Sequence, residues 1–203
     1  MAKLKLTKNE LKTQRDALKR YRRFLPTLEL KKQQLVEEVR RIERVLADKQ
    51  QGEARVRAAL AGWVQLFSEP VALEEKLVLE RVETREANIA GVIIPVFIAA
   101  HFKVNDYDLF STPLWVDRAL AVVQELASIR LERAIIERQR ELLQRELRTT
   151  IQRINLFEKV KIPAALGNIR MIQIYLGDQM ANAVARGKIA KAKLSEAQME
   201  GAA

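Results

Sequence analysis

Apolar residues return every seven positions along the first sixty residues of the chain. One series runs Leu4, Leu11, Leu18, Leu25, Lys32, Val39, Leu46, Glu53 and Leu60, apolar at seven of nine positions. A second, three residues on, runs Thr7, Gln14, Tyr21, Leu28, Leu35, Ile42, Lys49, Val56 and Trp63, apolar at six of nine. A stripe two residues wide, kept in step over nine heptads, is a coiled-coil seam and not the broader face of a globular helix. It predicts one helix over residues 7–63, roughly 85 Å long at 1.5 Å per residue. Pro26 lies inside the pattern and removes one intrahelical hydrogen bond, which predicts a kink there unless the helix starts after it.

The same period returns over residues 113–194. Thr112 followed by Pro113 reads as a helix start, a capping oxygen before a proline at the first helical position. Ala119, Leu126, Arg133, Arg140, Leu147 and Ile154 form one series; Val122, Ile129, Ile136, Leu143, Thr150 and Phe157 form its companion, and nine of the twelve are apolar. Pro163 interrupts, and Ile162, Leu166, Ile169, Ile172, Leu176 and Met180 restart the stripe. Residues 159–163 read as a simple kink, or as a break that lets the last helix change partner or direction.

Residues 67–111 have a different texture. Residues 76–84 alternate charge with Val and Leu, residues 87–91 carry turn chemistry, and residues 92–104 are rich in β-branched and aromatic side chains. Pro95 suits an edge strand. This predicts a β-hairpin or small β-layer between two long helices, with the polar turn Asn105-Asp106-Tyr107-Asp108 leading into the second. Helices joined through a short lobe fold back on one another. The expected fold is mostly α: a long antiparallel two-helix coiled coil of the N- and C-terminal helices, with a short β-hairpin lobe between them. Its expected parts are a coiled-coil helix (1–66), the hairpin lobe (67–112) and a second coiled-coil helix (113–203) with a kink near Pro163. Both termini are then expected at the end opposite the lobe.

Composition agrees: 31% of the 203 residues are charged, 5% are aromatic, and there are only seven Gly and five Pro. This is the make-up of long helices rather than of a loop-rich globule. The formal net charge of +10 invites a nucleic-acid reading, but its distribution changes that picture. Residues 1–32 carry +8, residues 33–66 carry +1, residues 67–112 carry −4, residues 113–158 carry +1 and residues 159–203 carry +4. In an antiparallel arrangement the two basic segments meet at one end, while the hairpin lobe is acidic. Between them, interleaved Arg and Glu are those of a solvated coiled-coil surface.

Little in the sequence suggests catalysis. The absence of cysteine removes disulfides, thiolate metal sites and a cysteine nucleophile. A single histidine, His101, removes a histidine-based triad combined with a metal cluster, and within its apolar stretch it reads as a structural or surface residue. There is no P-loop and no Gly-rich dinucleotide motif. The paired carboxylates Glu37-Glu38 and Glu74-Glu75 are neighbours in sequence, so on a helix they diverge and form no acid/base pair. No cofactor or metal site is expected. Lys19-Arg20-Tyr21-Arg22-Arg23 is the densest basic cluster, suited to phosphates or acidic protein, although a charged helix exterior accounts for it equally well. It has little of the aromatic interleaving of a base-stacking surface. The basic N-terminus has no apolar signal core, and the longest apolar run, 91–102, is far short of the ~20 residues of a spanning helix. A soluble, cytoplasmic chain with no direct membrane insertion is the expectation.

Three stretches together resemble the family of central-stalk D subunits of the V-type (A/V-type) ATPases. The first is Thr7-Lys8-Asn9-Glu10-Leu11-Lys12, followed by Leu18 and by Leu30-Lys31-Lys32-Gln33-Gln34-Leu35. The second spans residues 88–97, with Asn88, Gly91, Pro95 and Phe97 in the pattern of the family's central hairpin. The third, the most specific, spans residues 146–158 and carries Arg148, Gln152, Arg153, Asn155 and Glu158, with Ile162 and Pro163 following. The resemblance runs along nearly the whole chain in the same order and spacing. Residues 106–113 are closer to a bacterial branch of the family.

That resemblance implies a rotor shaft in an ATP-driven ion-translocating complex, itself non-catalytic and binding no nucleotide. It implies pairing with the small central-stalk F subunit, insertion of the coiled-coil end into the hexamer of catalytic A and nucleotide-binding B subunits, and docking of the other end on a membrane-side socket subunit. The complex would sit on the inner face of the membrane. On this reading Lys3, Lys5, Lys12, Lys19, Arg20, Arg186, Lys188 and Lys191 form a basic tip facing the hexamer. The competing reading is a basic coiled-coil nucleic-acid-binding or cytoskeletal scaffold protein. Against it stand the lack of a recognition motif and the acidic hairpin.

Overall fold

The computed structural model describes residues 4–108 and 110–200, with residues 194–200 as helical backbone only. The chain is mostly helical, with one β-hairpin. Helix α1 spans Lys8–Ala61, a short helix α2 spans Leu73–Lys76, strands β1 (Leu77–Ile89) and β2 (Val92–Val104) form the hairpin, and helices α3 (Trp115–Asn155) and α4 (Ile162–Glu200) follow. A 3₁₀ turn, Val64–Ser68, leaves α1, and six residues in π conformation, Leu156–Lys161, join α3 to α4. The chain packs as two units: residues 1–30 with 151–203, and residues 31–150.

The heptads explain α1. Of the eighteen positions in its two series every one is buried or half-buried except Thr7, and Thr7 caps the helix: its Oγ1 accepts the Glu10 N–H at 3.2 Å and its carbonyl accepts the Leu11 N–H. Pro26 does not delay the helix start, since α1 runs through it from Lys8. Pro26 and Arg22, whose carbonyl loses its partner, are both exposed, so water can satisfy the freed carbonyl.

In the 31–150 unit, α1 and α3 run antiparallel. Lys31 pairs with Glu146 and Lys49 with Glu132, both at 2.6 Å, so partner numbers fall along α3 as they rise along α1. The core is Leu35, Val39, Ile42 and Leu46 from α1, Ile136 and Leu143 from α3, and Ile94 from β2. The hairpin is thus a third layer packed on the helix pair, with Ala87, Ile89 and Val92 also against the core. Its strands pair antiparallel from Leu77↔Val104 to Ile89↔Val92, with Glu80 bulged on β1 and Ile98 on β2, so the two offsets cancel. Strand β1 continues through Ala87–Ile89, where turn chemistry predicted a loop. The turn is only Ala90 (φ 51°) and Gly91 (φ 80°), the positive-φ pair of a two-residue hairpin turn.

The predicted start of the second long helix also shifts. Helix α3 begins at Trp115, and the Thr112 hydroxyl donates to the Asp108 carbonyl instead of capping the helix. In the unit formed by 1–30 and 151–203, α1 and α4 are again antiparallel. Tyr21 stacks on Phe157 with ring centroids 5.3 Å apart, and Asn168 Nδ2 donates to Gln14 Oε1 at 3.4 Å. Ile154, Ala165 and Ile172 are buried there.

Candidate functional site

The polar residues that interrupt the heptads are the informative ones. Glu53 and Arg133 each break an apolar series, and they face one another. Glu53 is only 4% exposed. Arg130 Nε donates to its Oε1 at 3.0 Å, Arg133 Nη1 to its Oε2 at 2.5 Å, and Arg57 Nη2 lies 2.7 Å from Oε1. The hydrogen bond from Arg130 and the charges of Arg57, Arg133 and Arg130 hold its carboxyl below the ordinary value, against a desolvation that pushes it up. Lys49, another interruption, pairs with Glu132, and Gln14 meets Asn168. Polar seam positions that find partners across the interface specify register and direction more than they add stability. Thr150 differs: its side chain is fully buried and its hydroxyl has no partner among the described residues.

The hairpin residues of the second stretch have structural work. Asn88 Oδ1 accepts the Gly91 N–H at 2.9 Å and closes the turn. Gly91 sits at positive φ, near Lys31 of α1. The Pro95 carbonyl accepts from Gln139 Nε2 of α3 at 2.5 Å, tying β2 to the helix pair. Phe97 lines a cavity of about 300 Å³ with Ile42, Ile94, Ile136 and Gln139. In the third stretch Arg148, Gln152, Arg153, Glu158 and Pro163 are exposed and Asn155 is half-buried. The Arg148 Nε donates to the Gln144 carbonyl of its own helix at 3.4 Å.

Of the basic residues, Lys3 lies outside the described residues. Lys5, Lys12, Lys19 and Arg20, and Arg186, Lys188 and Lys191 on α4, are all exposed. They do not gather into one cluster. With Asn168 opposite Gln14, the start of α1 at Lys8 matches about residue 174 of α4. Arg186, Lys188 and Lys191 therefore lie roughly 20–25 Å further along α4 at 1.5 Å per residue. Every residue from 177 to 193 is exposed, with Met180, Val184 and Ile189 about 60% accessible. Among the described residues, the basic side chains form a strip along the two helices that continues along α4 past the start of α1. Heptad counting alone could not show that α4 outruns α1.

At the far end of α1, Trp63, Phe67 and Trp115 stack in sequence with centroids 5.6 Å apart, and Trp115 Nε1 donates to Glu69 at 2.9 Å. Trp63 floors a cavity of about 310 Å³ rimmed by Arg55, Arg118 and Glu125. No group of three or more metal-ligating His, Cys, Asp or Glu side chains occurs among the described residues. No helix among them is long and apolar enough to cross a membrane.

The sequence is matched by known proteins along nearly the full chain. The family model for the ATP synthase D subunit matches residues 10–192. A V-type ATP synthase D subunit of Borreliella burgdorferi is 46% identical over 194 residues, covering 96% of each chain. The protein of that name from Chlamydia caviae is 31% identical over 202 residues, covering 98% of this chain and 97% of its own. That of Chlamydia trachomatis serovar A is 32% identical over 198 residues, covering 96% and 98%. With a family model spanning almost the whole chain and a relative at nearly half identity, the chain belongs to the ATP synthase D subunit family.

Proposed function

We propose that the chain is the central rotor shaft of a V-type ATP synthase, a non-catalytic component that passes torque between the catalytic hexamer and the membrane ion-translocating ring. The observation that carries this reading is the exposed stretch of α4 at residues 177–193, which runs on past the start of α1, set in a chain of this family. A helix bearing Met180, Val184 and Ile189 in the open, with Arg186, Lys188 and Lys191 among them, needs a surround. The cavity of the A and B hexamer is the surround this family offers. The basic strip gives that contact long-range attraction without a single locked register, because charge interactions fall off gently with distance and angle. A pair of helices has no threefold symmetry, so each hexamer interface meets a different face of it.

The small F subunit and the membrane-side socket subunit complete the assembly, which lies on the inner face of the membrane. The aromatic-floored cavity at Trp63 is the candidate seat for the socket contact. The test is reconstitution with the A, B and F subunits. Neutralising Lys5, Lys12, Lys19, Arg20, Arg186 and Lys188 together should weaken assembly at physiological salt and lower ATP-driven torque. Unchanged assembly and rotation would refute the role given to the strip. Failure of the unaltered chain to join the hexamer at all would refute the shaft reading.

A further inference from the structure

The inward-facing positions of α3 and α4 step by seven, with one exception that occurs in both rows at the same place. One row runs Ile136, Leu143, Thr150, Phe157, then Ala165 and Ile172; the other runs Leu147, Ile154, then Ile162, Ile169 and Leu176. All eleven are buried or half-buried. Each row takes a single step of eight, from Phe157 to Ala165 and from Ile154 to Ile162. In a continuous α-helix one extra residue would turn everything downstream by about 100° and carry the stripe off its partner.

The stripe is not carried off. Tyr21 stacks on Phe157 before the step is complete, and Gln14 meets Asn168 after it. The extra residue is absorbed in Leu156–Lys161, the six residues in π conformation. There the Ile162 N–H closes on the Phe157 carbonyl, five residues back instead of four, and a turn closed that way holds about one more residue. Pro163 follows immediately and withholds a further N–H. Within the segment only Phe157 is half-buried, the others being exposed, so one aromatic stack anchors a stretch of backbone with weakened helical bonding.

We infer that Leu156–Lys161 is a phase-preserving joint, a one-residue insertion that loosens the C-terminal helical run at one level while keeping the faces on both sides in register with α1. Taken with the shaft reading, on which this functional consequence rests, the joint is where twist between the two ends is taken up without breaking the seam.

The test uses the full chain and three variants. Pro163→Ala alone keeps the eight-residue step, so amides 157–162 should still exchange at least tenfold faster than amides 143–149, as in the unaltered chain. Deleting Lys159 in the Pro163→Ala background restores steps of seven. Those amides should then slow at least tenfold, with helicity kept and melting within about 3 °C of Pro163→Ala. Deleting Arg148 instead should lower melting by more than 10 °C, because it rotates the seam with no π turn to absorb the change. The inference is overturned if deleting Lys159 is as damaging as deleting Arg148, if both deletions are harmless, or if amides 157–162 are already as protected as 143–149 in the unaltered chain. None of these measurements depends on the rotary complex, so the joint and the shaft reading fail separately. In the assembled enzyme, the Lys159 deletion should keep hexamer binding and reduce the angular fluctuation of a probe fixed to the far end of the chain.

Discussion

Thr150 is the seam residue whose replacement should strengthen the protein. Its side chain is fully buried at a heptad position between Leu143 and Phe157, and its hydroxyl has no hydrogen-bond partner among the described residues. Its neighbour Thr149, by contrast, donates to the Arg145 carbonyl at 3.1 Å. A buried hydroxyl without a partner costs about 1–3 kcal/mol in desolvation. Thr150→Val replaces it with a methyl group of nearly the same volume. Both residues are β-branched and of similar helix propensity, so the backbone terms nearly cancel. The expected gain is about 1–2 kcal/mol, or roughly 3–6 °C in Tm for a chain of this size. The assay is thermal and urea unfolding followed by circular dichroism, with the urea slope unchanged. Thr150→Ser serves as control: it keeps the hydroxyl, removes the methyl, and should lose about 1 kcal/mol. If Thr150→Val melts at or below the unaltered protein, the hydroxyl has a partner and the reasoning fails.

Two further outcomes follow from the same geometry. Glu53, whose carboxyl is held below its ordinary value of 4.5 by the surrounding arginines, should make the unaltered chain more stable than Glu53→Gln above about pH 4.5, and this advantage should shrink as acid carries Glu53 through its depressed value; a melting difference that is flat down to pH 2, or that grows in acid, counts against it. Ala90, at φ 51° beside Gly91, should be improved by Ala90→Asn by about 1 kcal/mol, since Asn tolerates this backbone region and Asn-Gly is the favoured pair for the turn; chemical denaturation measures it, and a loss of stability would show that the turn is not held in that form.

Periodicity by itself determined most of the architecture here. Seven-residue spacing is a local consequence of helix geometry and needs no knowledge of the partner, so Leu35, Val39, Ile42 and Leu46 read as seam residues from sequence and are buried. Residues 92–104 announced the second strand in the same way, through β-branched and aromatic content, and the resemblance to the family rested on stretches that the whole-chain match then covered. What sequence could not supply was which residue meets which across the chain. The interruptions Glu53 and Arg133, eighty positions apart, became an ion cluster only once α1 and α3 were paired. Thr112 looked like a cap, but its hydroxyl turned to Asp108 because the following backbone delays the helix to Trp115. The hairpin read as a lobe of its own, whereas Ile94 packs it onto the helix pair. The residues around Pro163 read as a kink or break, and the helical run continues there through π turns that absorb one extra residue. Local propensity acts over a few residues, and these outcomes turn on contacts between distant ones. Only the tertiary structure therefore decided them, including how far α4 runs on past the start of α1.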